Sequence, residues 1–221
     1  MAPERSAKVG TATALLVLAG AAVVAYGLDQ LTKYLVVSNL TEGETVQVLG
    51  QVLEFQFVRN PGAAFSLASG MTWIFTILAA GVITFIIWFS RRIKSVAWAM
   101  VFGLLLGGVL GNLTDRLFRE PSFGLGHVVD FISTPWMLPA IYNIADISIV
   151  SSMALFMILT IRGIGLDGSR EERQSKGVPT AEASAAEAQA AEPQASADPD
   201  AAGEADPGPR TSVPAPRPSE S

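Results

Sequence analysis

Long apolar runs broken by short polar stretches set the character of this chain. From Thr11 to Leu28 almost every residue is apolar or small, and after Asp29 the apolar character resumes through Val37. Further runs cover about 71–89, 96–113 and 138–161. A helix needs about 20 such residues to cross a bilayer, so the pattern predicts an all-α integral membrane protein with four transmembrane helices in a bundle. Arg5 and Lys8 before the first run give it the look of a cleaved signal peptide. The run continues too far, and no polar cleavage region follows it, so a retained helix is expected.

The polar stretches carry a second pattern. In the expected external segment 38–70, Thr45 to Leu49 and Val52 to Val58 alternate, with Leu53, Phe55 and Phe57 opposite Glu54 and Gln56. That predicts a small external β-hairpin, too small to stand alone and resting on the membrane or the helices. The turn-forming Asn60, Pro61 and Gly62 follow, then two alanines that let another backbone come close. A second external segment is expected over 114–137.

Trp73 and Trp88 flank the second run as an aromatic belt, and Arg91, Arg92 and Lys94 follow it at once. The basic turn places that loop and residues 1–10 in the cytoplasm. Ala99, Gly103, Gly107 and Gly111 recur at every fourth position of the third run, a small face for close helix packing in lipid. Asn112, Asp115 and Arg116 then share a face, and Arg116 is expected to pair with Asp115, because an unpaired buried charge is costly.

Charge divides the chain unevenly. Residues 167–221 hold 11 acidic and 5 basic side chains, whereas the first 166 residues hold 9 and 10. The overall net of −5 therefore belongs to the tail. Residues 163–221, rich in Ala, Pro and acids, are expected to form a disordered cytoplasmic tail. No basic stripe suggests nucleic acid. The chain has no cysteine, which removes disulfides, thiol catalysis and thiolate metal sites. Its one histidine, His127, cannot form a paired-histidine zinc motif, and no nucleophile motif surrounds Ser122 or Ser133 beside it. Neither metal nor cofactor is expected.

The acidic residues near the apolar runs are the candidate chemistry. Asp146 lies inside the fourth run, where a carboxylate costs roughly 2.5 to 3.5 kcal/mol and is by default a functional hypothesis. Asp130 stands a short way before it. If the intervening chain folds back, the two acids cannot both ionise cheaply and share one proton, the electrostatic arrangement of an aspartic peptidase. Asn143, three residues before Asp146, shares its helix face. Asp29 and Lys33 lie four apart in the favourable order for an ion pair.

Five boxes thus stand in order: DQLTK at Asp29 to Lys33, NPGAAFS at Asn60 to Ser66, GNLTDR at Gly111 to Arg116, VVDFI at Val128 to Ile132 and YNIADISI at Tyr142 to Ile149. Together they resemble the lipoprotein signal peptidases, signal peptidase II, over roughly Gly27 to Arg162. The resemblance implies a four-helix inner-membrane aspartic endopeptidase, active near the outer leaflet and with both termini cytoplasmic. It would cut diacylglyceryl-modified prolipoproteins just before the lipidated cysteine. It implies Asp130 and Asp146 as the catalytic dyad. Asn60, Gly62, Asn112, Arg116, Asn143 and Ala145 would shape the site or contact substrate, with Asp29, Lys33 and Asp115 in support. Tyr142 departs from the phenylalanine of many members. The expected partners are prolipoprotein substrates and membrane lipid, and the expected state is a monomer. The substrate's signal helix is expected to pack on the small face of the bundle.

Two other readings use the same residues. Asp146, Asp130, Arg116 and Asp29 could line the proton path of an ion-coupled transporter, although no internal repeat supports it. The glycine face could instead serve a non-catalytic scaffold that binds partner helices.

Overall fold

A computed structural model describes residues 9–62 and 72–170. Residues 63–71, which include the Ala63 to Ser66 part of the second box, and most of the tail lie outside the described residues. Four helices are long and apolar enough to cross a membrane: α1 (Thr11–Asn39), α2 (Thr72–Phe89, continued by a short 3-10 turn to Arg92), α3 (Val96–Phe118) and α4 (Ile144–Ile161).

The glycine face of α3 is what brings the helices together. A Cβ on Gly103 would stand 2.6 Å from the Leu18 carbonyl oxygen of α1, and one on Gly107 the same distance from the Ala22 carbonyl oxygen. On the adjoining side, a Cβ on Gly108 would stand 2.6 Å from the Ala145 carbonyl oxygen of α4. Backbones approach so closely only where side chains are absent. The small face is therefore filled within the chain, by α1 and α4, and is not open to a substrate's signal helix or to a partner helix as expected.

The third helix runs past the expected end near residue 113 and carries Asn112, Asp115 and Arg116 as helical residues. The fourth helix differs more. Its expected start, residues 138–142, is instead the strand β4 (Leu138–Tyr142), and α4 begins only at Ile144. Proline lacks the N–H that helix and central strand require, which suits Pro139 to an edge strand. Asn143 then starts the helix as its N-cap, with its side chain accepting from the Asp146 N–H and the Asp146 carboxylate accepting from the Asn143 N–H. Asp146 consequently sits in the first turn of α4 rather than two turns down it.

The hairpin is present as β1 (Thr45–Gln47) and β2 (Glu54–Asn60), paired antiparallel with Val46 opposite Phe55. It extends into a sheet of order β1-β2-β3-β4, because a strand that sequence pattern did not foresee, β3 (Val128–Thr134), pairs with both β2 and β4. Every residue of β3 is buried. Phe57, Val129, Phe131 and Ile132 pack with Val36 of α1 in one apolar cluster that seats the sheet on the helices.

The opposite end of the bundle closes on Ala14, Leu18, Ile93, Trp98 and Leu159. The chain after α4 continues into this packing. The Trp98 indole N–H donates to the Ile164 carbonyl at 3.0 Å, and the Lys94 N–H donates to the Leu166 carbonyl at 3.0 Å. Residues 163–170 thus belong to the structured part, and the rest of the tail, beyond Arg170, lies outside the described residues.

Candidate active site

Two secondary structures that meet at Asn143 bring the two aspartates to one place. Asp130 lies mid-strand in β3, opposite Val58 of β2, and is 2% exposed. Its Oδ1 accepts from the Asn143 side-chain amide at 2.6 Å, and its Oδ2 accepts from the Asn60 amide at 2.7 Å. Asp146 accepts from the Asn112 amide at Oδ1, 2.9 Å, and from the Asn143 backbone N–H at Oδ2, 3.2 Å. Asn143 therefore bonds both carboxyl groups, one through its side chain and one through its main chain. Fully buried, it also has its amide within 3.2 Å of the Asn112 side-chain oxygen.

Burial dominates the electrostatics of Asp130, pushing its pKa from 3.8 up to about 6. The Asn60 bond opposes that rise, the nearby Asp146 carboxyl adds to it, and Asn143 and Lys33 oppose it further. A buried carboxyl next to a second one is the physical setting for a shared proton.

Beneath the pair lies a fully buried ion cluster. Lys33 Nζ stands 2.9 Å from Asp29 and 2.8 Å from Asp115, all three side chains at 0% exposure. The pairing expected between Asp115 and Arg116 does not occur. Neighbours in a helix point about 100° apart, so Asp115 turns inward to Lys33 and to Arg119, one turn on at 2.5 Å. Arg116 instead lies 5.4 Å from the centre of the Phe75 ring, and donates to the Asn112 carbonyl at 3.3 Å.

Gly62 and Ala145 contribute through backbone. Gly62 has φ +104°, donates its N–H to the Asn60 side-chain oxygen at 2.9 Å, and has no space for a Cβ beside Phe75. Ala145 is fully buried, donating its N–H to Asp29 at 2.9 Å. The structure thus gathers Asn112, Asn143, Asn60, Asp130 and Asp146 in one hydrogen-bonded group, with Asp29, Lys33 and Asp115 below it and Arg116 at its side.

Sequence reasoning passed over Gln30, Phe75 and Arg119. Gln30 donates to Asp29 at 3.1 Å and to the Gly111 carbonyl at 3.2 Å. Its place inside the first box was the available signal. His127 makes no hydrogen bond to Ser122 or Ser133 among the described residues, and no three His, Cys, Asp or Glu side chains there could together hold a metal.

A cleft of about 630 Å³ opens over Asp130. Gln56, Arg59 and Asn60 line it from β2, Ser133 from β3, and Leu138 and Ile141 from β4. Asp146 is not among its walls, so the cleft reaches Asp130 from the sheet side.

Residues 14–162 match the family model described as signal peptidase (SPase) II. The lipoprotein signal peptidase of Leifsonia xyli subsp. xyli is 61% identical over 168 residues, 76% of this chain and 77% of that one. That of Rhodococcus jostii is 45% identical over 71% of this chain and 77% of its own length. Two solved structures, each described as a bacterial membrane enzyme studied by the in meso method, superpose with TM-scores of 0.59 and 0.61 at 28% and 27% identity. They cover 71% and 76% of this chain, and 97% and 96% of their own.

Proposed function

The chain belongs to the signal peptidase II family, and from that premise we propose that it removes signal peptides from prolipoproteins as an aspartic endopeptidase whose dyad is Asp130 and Asp146. It is a multi-pass membrane peptidase. The observation that supports the dyad best is the bonding of both carboxyl groups to one residue, Asn143.

Between them the two acids hold one proton and a water. The ionised acid takes a proton from the water as its oxygen attacks the scissile carbonyl carbon, and the protonated acid gives its proton to the carbonyl oxygen. As the tetrahedral diol collapses, the acid that took the water proton gives it to the leaving nitrogen, the C–N bond breaks, and the other acid takes a proton from a diol hydroxyl as the carbonyl re-forms, so the pair again holds one proton. Asp130, with a pKa near 6, holds its proton more readily than a solvated acid does. The Asn60, Asn112 and Asn143 amides fix both carboxyls before substrate arrives, so little reorganisation accompanies the reaction.

The finer assignments rest on the same site. The cleft over Asp130 takes the extended chain around the scissile bond, and the Arg116 guanidinium meets a carbonyl or ester oxygen of a diacylglyceryl-modified substrate. The lipid stays in the bilayer and enters laterally, so that cleavage falls just before the modified cysteine. The Arg91, Arg92 and Lys94 turn faces the cytoplasm with both termini, leaving the sheet and the dyad at the outer leaflet of the plasma membrane. The ion-path alternative gains no support, since the named relatives are peptidases.

Purified Asp130→Asn and Asp146→Asn should fold in detergent and lose about 10³-fold or more in turnover. The readout is cleavage of a diacylglyceryl precursor followed by mass, with an unlipidated precursor alongside. Wild-type-like turnover in either variant removes that residue from the dyad, and equal cleavage of both precursors removes the lipid requirement.

A further inference from the structure

Lys33 is completely buried, and its ammonium has three N–H groups and three partners. Nζ lies 2.9 Å from Asp29 Oδ2, 2.8 Å from Asp115 Oδ2 and 3.0 Å from Asn112 Oδ1. Where those partners lead is the informative part. Asp29 accepts the Ala145 N–H at 2.9 Å, and Ala145 immediately precedes Asp146. Asp115 accepts the Val129 N–H at 3.2 Å, and Val129 immediately precedes Asp130. Asn112 donates directly to the Asp146 carboxylate at 2.9 Å. One ammonium thus joins two acids, each of which grips the backbone one residue ahead of a member of the proposed dyad.

From this geometry we infer that Lys33 is a positioning residue that sets the spacing and relative orientation of Asp130 and Asp146. The inference rests on the dyad reading and adds to it the element that fixes the distance. β3 and α4 belong to different parts of the fold, joined covalently only through β4 and its turns. A shared anchor at Lys33 makes any relative slide of the two break either an ion pair between buried groups or a backbone N–H bond to a buried carboxylate, both unfavourable. Gly111 keeps the anchor compact, because a Cβ there would run into the Asp29 carboxylate. Gln30 holds the same carboxylate from the side at 3.1 Å. An arginine in place of Lys33 keeps the charge, but its planar fork cannot direct three donors from a single atom.

The test uses the full chain in detergent with a diacylglyceryl precursor. Two variants are compared with wild type: Lys33→Arg, which keeps every charge, and the double variant Asp29→Asn/Lys33→Met, which removes one charge of each sign and leaves Asp115 paired with Arg119. Misplacing reacting groups by about 1 Å can cost on the order of 10²-fold. The inference therefore predicts a fall of about 10- to 100-fold in kcat per folded molecule, with KM nearly unchanged and the pH profile of kcat displaced. A folded variant with wild-type kcat and pH profile overturns it, and so does a change confined to KM. Loss of folding in both variants also overturns it, because Lys33 is then needed for the fold alone. Asp130→Asn, run in parallel, separates the two claims: if it still turns over, the dyad reading itself fails, whatever the Lys33 variants do.

Discussion

The same three helices meet twice, in opposite ways. At one end α1, α3 and α4 close through Leu18, Trp98, Ala99 and Leu159, with no charged side chain in the buried cluster. At the other they close through Lys33, Asp29, Asp115 and Asn143, all fully buried and all polar. In lipid the first end holds by close packing, since hydrocarbon outside is as apolar as leucine inside. The second holds by ion pairs and hydrogen bonds, a weaker route to stability once desolvation is counted. A protein that needed only a stable bundle would have had no reason to fill the second end this way. The difference separates a part that carries the fold from a part that keeps acids at fixed positions.

That separation can be broken most directly at the packed end. Gly103→Val would drive its side chain into the Leu18 backbone and the Ala21 methyl group, so it should cost about 3 kcal/mol or more. Thermal unfolding in detergent should show the loss, with turnover per folded molecule kept. At the polar end, Asn143→Ala should do the reverse, lowering kcat about 10²-fold, equivalent to about 2.7 kcal/mol. Its melting temperature should fall less, by the worth of one helix cap and the hydrogen bonds to Asp130. If the two substitutions gave matching losses of stability and turnover, the two ends would not be functionally distinct.

A smaller effect sharpens the contrast through pH. Asp130 has a folded pKa of about 6 against an ordinary 3.8. The folded chain therefore binds the proton more tightly than the unfolded chain. Its stabilising contribution is whole below the lower value and is lost as pH rises through the higher. The unfolding free energy of the wild type should rise between about pH 7 and pH 5 by an amount that Asp130→Asn lacks, on the order of 1 kcal/mol, read as a higher melting temperature. Equal pH slopes in the two proteins would mean that Asp130 is not the buried acid described.

Which parts of this were legible from sequence follows from what each part depends on. The apolar runs gave the four helices because crossing hydrocarbon leaves little freedom in length or composition. The two candidate aspartates were legible because a carboxylate in such a setting stands out. Strand β3 was not, because Val128 to Thr134 is buried throughout and so lacks the alternation that marks a half-exposed strand. The misplaced start of α4 has a similar cause: Leu138, Ile141 and Tyr142 are as apolar as the helix they precede, and only the Asn143 cap separates them. The partners of Asp115 were hidden for another reason. Lys33 lies in a different helix, and sequence proximity favoured Arg116, which faces Phe75 instead.

The bond from Asp29 to the Ala145 N–H spans 116 positions of chain. During synthesis the first helix is in place long before the last one has left the ribosome, so the socket that Asp29 and Lys33 offer stays empty until the final span arrives. A chain that still lacks this span has neither Asp146 nor the Ala145 N–H that Asp29 holds, so the polar end is assembled only when α4 joins it.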